Sequence, residues 1–252
     1  MTYFFPENIF TKIIIGSLPV EFRKNVKFLP GSLIAPRLKE DQKSVGLIPT
    51  TDLIQHKELF VSHSFGISFE ESLCNTYLYY FGNENKPKDL YLLGDISSLE
   101  VILSKIFFKE IYATDIEVHI VTDNLDLKGK NTLISGDVNF QEDAYKVGIS
   151  LAEEMVELLS YPFVNYLLAS VDGSLIDNFN KEIKGISSTV YSNVENNNFV
   201  QYLSSPAKEY VKDNISSFVC EFDDKDIEGT KQLLRLPYYH GVIHEIIEVK
   251  FV

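Results

Sequence analysis

Short apolar runs alternate with stretches of helical periodicity along this chain, and that alternation most restricts what it can fold into. VKFLP, Val26 to Pro30, precedes SLIAPRLKED, a predicted helix in which Pro36 occupies the first turn or marks a kink. SVGLIP, Ser44 to Pro49, reads as a buried strand that runs into TTDLIQH, a hydroxyl-led helix start. DLYLLG, Asp89 to Gly94, precedes ISSLEVILSKIFF, where Leu99, Ile102, Leu103 and Ile106 recur at helical spacing. IEVHIV is a strand by alternation, and NTLISGD is another that ends in Gly136 and Asp137. Ser150 and Glu153 give a capping-box pattern at the head of SLAEEMVELLS, a helix that stops before Tyr161 and Pro162. FVNYLLAS resumes as a strand, Gly173 to about Ser204 reads as polar and helical, and DIEGTKQLLRLPYYHGVI is a last amphipathic helix ending near Gly241. The pattern predicts an α/β protein with mixed, mostly parallel sheets, no internal repeat and no long linker.

The 252 residues, 45% of them hydrophobic, are enough for one large domain or for two lobes of about 100 to 150 residues each. A formal charge of -13 argues against a nucleic-acid backbone or an anionic membrane surface as partner, since both would be repelled. A small anion is still admitted where local dipoles hold it. MTYFFPENIFTKIIIGSLPVEF lacks the layout of a secretory signal, and Lys12 interrupts the longest apolar run. Cys74 and Cys220 have no metal-type spacing, and the expected location is the cytoplasm.

In an open α/β sheet, ligands bind beyond the carboxyl ends of strands, where the following helices present free N–H groups and positive dipole ends. Three junctions have that chemistry: Pro49-Thr50-Thr51, Gly94-Asp95-Ile96-Ser97-Ser98 and Ser135-Gly136-Asp137. Any one of them reads first as plain helix capping, because Ser and Thr are favoured caps. Three together point to an anion site. His240, His244 and Glu245 have a metal-like spacing, but Gly241 breaks the helix between the histidines and no third ligand follows at a usable interval. His56 reads as a helix C-terminal residue, His63 and His119 lie in strand-like segments, and Asp223, Asp224, Asp226 and Glu228 form a charged helix start. Glu70 and Glu71 read as a solvated loop, and Tyr77, Tyr79 and Tyr80 as strand residues of alternating facing.

The order of these motifs resembles one family. VKFLPGSLIAPRLKEDQKSVGLIPTTDLIQHKELFVSHSFGIS is similar to the early part of the chorismate dehydratases of the futalosine route to menaquinone. The similarity continues through LGDISSLEVIL, NTLISGD, GISLAEEMVELLSYPFVNYLLAS and CEFDDKDIEGTKQLLRLPYYHGVI, and so covers nearly the whole chain. The resemblance implies a two-lobed fold like the type II periplasmic binding proteins, with ligand closed between lobes that two crossing strands join. Mapped here, the crossing segments are Asn75 to Phe81 and Phe163 to Ser170. The first lobe comprises residues 1–81 and 163–252, and the second comprises 82–162. Thr50 and Thr51 then face Ser97 and Ser98 across the cleft.

The implied reaction is loss of water from chorismate to give 3-[(1-carboxyvinyl)oxy]benzoate. The expected ligand is therefore a small dicarboxylate, with no metal and no redox cofactor. The family's N-terminal Asn maps to Asn8, with Thr11 in place of a downstream Pro, and its Ser at the first crossing strand maps to Asn75, with Ser72 and Thr76 nearby. An amide can donate to a developing oxyanion but cannot relay a proton as a hydroxyl does. The expected catalytic residues are Asn8 and Asn75, and the expected substrate-binding ones are Thr50, Thr51, Thr76, Ser97, Ser98, Gly136 and Asp137. Two other functions fit the same reading: a non-catalytic cytoplasmic binder of a small carboxylate, and the related enzyme that forms a dihydroxynaphthoate later in the pathway, which requires a histidine at the cleft.

Overall fold

Every position of the run SVGLIP is buried, as a strand covered on both faces must be. It lies near the middle of a seven-stranded sheet in a computed structural model that describes residues 1–80, 87–122, 127, 129–141 and 143–252. The chain begins with β1 (Thr2–Phe5), α1 (Ile9–Ser17), the single turn α2 (Val20–Arg23), β2 (Val26–Phe28), α3 (Gly31–Glu40) and β3 (Ser44–Pro49). TTDLIQH gives a 3-10 turn, Thr50–Ile54, and Pro36 lies inside α3 beyond its first turn. After β4 (Phe60–Phe69) come β5 (Thr76–Tyr79), β6 (Asp89–Gly94), α4 (Ser98–Tyr112), β7 (Glu117–Val121), β8 (Thr132–Ser135), α5 (Val138–Gln141), β9 (Ile149–Ser150) and α6 (Leu151–Leu159). The chain then returns through β10 (Phe163–Ser170), α7 (Gly173–Glu182), α8 (Ile186–Glu195), α9 (Ser205–Asp213), β11 (Phe218–Glu221), α10 (Asp224–Tyr239) and β12 (Lys250–Phe251).

The first sheet runs β11-β4-β10-β3-β1-β2, with β12 also on β4, and the second runs β7-β6-β8-β5-β9. Both are mixed. β1 pairs in parallel with β2 and β3, and β6 with β7 and β8, while β4, β10 and β5 make the antiparallel pairs. In the first lobe α3 and α10 pack one face through Ile34, Leu38 and Leu234. α1, α7 and α8 cover the other face through Ile13, Ile176, Phe179 and Val190. α4 and α6 close the second sheet with Leu103, Phe107 and Met155.

The expected lobe boundary is corrected at its first crossing. The resemblance places residues 1–81 in the first lobe, yet β5 lies in the second sheet, where Thr76 and Leu78 register with Ser135 and Leu133 of β8. The chain therefore crosses in Glu70–Asn75, ahead of β5. Phe81 and Gly82, where the boundary was drawn, lie outside the described residues. The return crossing is the short link Ser160–Pro162, entered by a left-handed Ser160 that ends α6. The strands flanking the two crossings, β4 and β10, are antiparallel neighbours in the first sheet.

One buried core serves both lobes. An aromatic seam carries it across: Phe218 stacks on Phe10 of α1, Phe10 meets Phe140 of α5 edge-on at 6.0 Å, and Phe140 stacks on Tyr145. Tyr145 lies on Tyr210 of α9 at 4.2 Å, and the Tyr210 hydroxyl also reaches the Ser72 carbonyl in the first crossing. Among the described residues no helix is long and apolar enough to cross a membrane.

Gly94 ends β6 with φ at +100°, and a side chain there would place Cβ 1.9 Å from the Ser135 carbonyl oxygen. We expect Gly94→Ala to lose roughly 3 kcal/mol of stability, the sum of left-handed strain and that clash. Urea denaturation measures it, and a loss below about 0.5 kcal/mol, the range of an ordinary surface change, would show that β6 and β8 do not meet in this register.

Candidate functional site

On the first lobe, the turn after β3 separates two adjacent threonines. The Thr50 hydroxyl donates to the Val164 carbonyl of β10 at 2.6 Å and is fully buried, so Thr50 anchors the turn inside its own lobe instead of facing a ligand, as the sequence had led us to expect. Thr51 reaches the other lobe, where its Oγ1 lies 2.6 Å from Ser98 Oγ at the start of α4. Ser98 donates in turn to Asp52 Oδ1 at 2.6 Å. Asp52 is buried at this boundary, and burial pushes its carboxyl up to about 6, a rise that the Ser98 hydrogen bond only partly offsets.

On the second lobe, the turn from Gly94 into α4 aims Asp95 across the boundary. Both Asp95 oxygens accept from the Gly31 N–H, at 2.9 and 3.0 Å, so a carboxylate of the second lobe sits on the N-terminus of α3 in the first. Ser97 caps α4 and closes a capping box with Glu100, whose carboxylate takes the Ser97 N–H at 2.9 Å and hydroxyl at 2.7 Å. Glu100 is fully enclosed, and burial raises its pKa against those bonds. Ser135 Oγ gathers Asn75 Nδ2 at 3.2 Å and Thr76 Oγ1 at 3.0 Å, and lies 3.5 Å from Glu100 Oε1. The Tyr166 ring from β10 packs against Gly31 beside Asp95. Burial, and then the charges of Asp95 and Glu100, hold its hydroxyl far above the ordinary range.

The third junction forms the remaining corner. Gly136, with φ at +111°, donates its N–H to the Asn75 carbonyl at 2.9 Å. Asp137 turns away from its own lobe: Oδ1 accepts the Ile9 N–H of α1 at 2.7 Å, and Oδ2 accepts Lys12 Nζ at 3.0 Å and the Tyr202 hydroxyl. Gly136 and Asp137, both expected to bind substrate, are thus engaged with protein partners. Asn8 caps α1 through Oδ1, which accepts the Thr11 N–H at 3.0 Å, and Thr11 completes the box. Its Nδ2 is buried with no partner, and so is Asn75 Oδ1. The structure therefore joins Thr51 to Ser98 and Asp137 to α1 across the lobes, with Asn8 capping α1, Asn75 at the end of the first crossing and Gly136 beside Asp137, while the side chains of Thr50, Thr76 and Ser97 bond within their own lobes.

Sequence reasoning missed Asp52, Glu100, Lys12, Tyr166 and Tyr202. Ser97-Ser98-Leu99-Glu100 is a capping-box signature that could have placed Glu100; nothing in the local pattern marks Tyr166 or Tyr202. At the cleft mouth Glu7, Phe28, Leu29 and Pro30 face Gly94 and Asp95 around a concavity of about 320 Å³. The histidines lie elsewhere. His240 meets Glu110 at 3.2 Å and His63 bonds the Val252 carbonyl. His119 meets Asp89 at 2.7 Å, at the opposite end of β6 from Gly94, where Asp89, Glu117 and His119 bring ligand-type atoms within 4.8 Å of one another.

Two α/β lobes on mixed sheets, joined through the neighbouring antiparallel strands β4 and β10 with helix N-termini gathered where they meet, define a two-lobed fold of the periplasmic-binding-protein type. Solved structures share it. Protein AF1704 from Archaeoglobus fulgidus superposes with a TM-score of 0.65 at 11% identity, over 96% of this chain and 98% of that one. The alkanesulfonate-binding protein SsuA from Xanthomonas axonopodis pv. citri, bound to MOPS, gives 0.61 at 9% over 100% and 97%. The ligand-binding component of an ABC-type import system from Staphylococcus aureus, with zinc bound, gives 0.55 at 10% over 100% and 95%. At these identities the likeness establishes the fold. No family model matches the chain, and no curated protein does.

Asp52 supplies a test of the boundary's electrostatics. Its carboxyl ionises near its ordinary value in the unfolded chain and near 6 in the folded one, so ionisation penalises folding as pH rises between those values, and fully above the higher one. A shift of this size corresponds to roughly 3 kcal/mol. Asp52→Asn is expected to be more stable than the wild type at pH 7.5 by up to that amount and to match it near pH 4. Urea denaturation at the two pH values reads the difference, and a gap that does not change with pH would remove Asp52 from the buried boundary.

Proposed function

We propose that the protein binds a small carboxylate between its lobes and removes water from chorismate there, as a cytoplasmic enzyme related to the chorismate dehydratases. The observation that carries this reading is the pair of unpartnered amide atoms, Asn8 Nδ2 and Asn75 Oδ1, buried at the inter-lobe boundary. A buried polar atom without a partner costs on the order of 1–3 kcal/mol, and a ligand carboxylate oxygen accepting from Asn8 Nδ2 with a ligand hydroxyl donating to Asn75 Oδ1 would satisfy both. Both belong to the residues that the family resemblance assigns to the reaction. AF1704 and SsuA share the fold, and SsuA holds MOPS, which supports a small ligand for the cleft of this chain as well.

Dehydration of chorismate breaks the bond from the ring proton to the carbon bearing the enol ether and the bond from the neighbouring carbon to its hydroxyl. The proton goes to a base, the hydroxyl leaves and is protonated to water, and the electron pair left on carbon completes the aromatic ring. Asp52, with its carboxyl near 6, has the proton affinity that a base working near neutrality needs. Asn8 Nδ2 is a fixed donor for a substrate oxygen, and Thr51 and Ser98 hold Asp52 in place. Closure of the lobes excludes water and strengthens each of these interactions.

One set of observations favours a second reading, a binder without catalysis. Asp52, Asp95, Glu100 and Asp137 crowd the boundary, with Lys12 as the cation placed among them, and Asn75 cannot relay a proton. For the dihydroxynaphthoate-forming reaction, the one inter-lobe histidine contact among the described residues, His240 with Glu110, lies toward the far end of α4 from Ser98, and no histidine side chain bonds to Thr51, Asp52, Asn75 or Asp137.

Incubation with chorismate and mass spectrometry against an enzyme-free control separates these readings. A product lighter by one water is expected, and Asn8→Asp, which keeps the helix cap but lacks the donor, should slow its formation about 100-fold without lowering the melting temperature. Chorismate left intact but raising the melting temperature would replace the lyase by the binder. With neither effect, both readings fail.

A further inference from the structure

The N-terminus of α1 presents more donors than its present partner uses. Ile9 N–H, Lys12 Nζ and the Tyr202 hydroxyl converge on Asp137, and Lys12 also lies 2.8 Å from the Tyr202 oxygen and 3.3 Å from Glu7. Asn8, the cap of the same helix, is 2% exposed, and its Nδ2 finds no acceptor among the described residues. A carboxylate has about four acceptor positions, enough for all of these donors. Asp137 takes the Ile9, Lys12 and Tyr202 donors and leaves Asn8 Nδ2, and its loop is tied to the second lobe through the Gly136 N–H bond to Asn75.

We infer that this corner is a carboxylate-binding site of the first lobe, that Asp137 of the second lobe occupies it as a stand-in, and that a ligand carboxylate binds there by displacing Asp137. The named donors all belong to α1, its cap and Tyr202, while the acceptor comes from the opposite lobe. Opening the lobes therefore withdraws the acceptor and leaves the donor set intact. The site suits an anion on three counts: the helix dipole, an ammonium whose pKa its hydrogen bonds to Tyr202 and Asp137 hold up despite the opposing pull of burial, and a neutral hydroxyl. Asp95 on the Gly31 N–H of α3 repeats the arrangement, a second carboxylate of the second lobe on a helix N-terminus of the first.

The inference builds on the reading that ligand enters between the lobes, but its test involves no turnover. Asp137→Ala empties the site. Acetate, compared with chloride at equal ionic strength, should raise the melting temperature of this variant by about 3 °C at tenfold saturation and leave the wild type within about 1 °C. Lys12→Met in the same variant should abolish the response. If Asp137→Ala does not fold unaided, acetate in the refolding buffer should restore soluble yield where chloride does not. An equal acetate response in wild type and variant, or no response in melting or in refolding, overturns the inference. Acetate rescue without any effect of chorismate keeps the site and rejects chorismate, whereas dehydration of chorismate without rescue does the reverse.

Discussion

Antiparallel pairing of β4 with β10 decides where the two lobes meet. Phe163 registers with Phe69 and Val164 with Ser68, so the chain leaves the first lobe and re-enters it at adjacent points of one sheet. Both crossings are thereby held together. Helix α10 then packs against the return crossing so closely that a side chain at Gly229 would meet the Pro162 carbonyl oxygen at 2.5 Å. Asp226 of the same helix bonds Ser68 in β4. With the crossings fixed, the ends of β3, β6 and β8 face one another, and the three hydroxyl- and glycine-rich junctions become a single boundary.

That boundary has two unlike sides. The aromatic seam from Phe218 through Phe10 and Phe140 to Tyr145 and Tyr210 is apolar and close-packed, and such contacts gain nothing from a polar ligand. The other side is built from hydrogen bonds between groups of opposite lobes: Thr51 to Ser98, Ser98 to Asp52, Gly31 to Asp95 and Ile9 to Asp137. Water or a ligand can replace each of these at little net cost, because a hydrogen bond exchanged for another changes stability by about 1 kcal/mol. Exchange of hydrogen-bond partners is thus confined to the polar side, while the seam keeps the lobes in register.

Much of this was legible locally. Strands such as SVGLIP, DLYLLG and FVNYLLAS declare themselves by unbroken apolar runs, and the α4 helix by its spacing of Leu99, Leu103 and Ile106. The motif order also led to the two-lobed fold. Harder to see were β4, where FVSHSFGISF mixes serine and histidine into a central strand, and β11, only four residues long beside a run of aspartates. Helix α9 is polar along most of its length and is held by Tyr210 and Val211 against neighbours distant in sequence. The junction residues were found because hydroxyls after a strand are a local signal. What each hydroxyl does was not, since Thr50 and Thr51 differ only in which lobe their side chains meet, and that follows from packing with Val164 and Ser98.

The acidic residues at the boundary divide by what answers them. Asp137 meets an ammonium and a helix N-terminus, and Asp95 meets a helix N-terminus that only partly offsets the rise burial gives its pKa. Asp52 meets only a serine hydroxyl, and in a buried place that is too little to hold the charged form at its usual pKa. Asp137 and Asp52 therefore differ in what holds them, the first an ammonium and a helix N-terminus, the second a single hydroxyl in a buried place. The unpartnered amides of Asn8 and Asn75 lie along the same boundary, so its polar side combines charged groups, a carboxyl whose pKa burial raises, and hydrogen-bonding atoms without partners among the described residues.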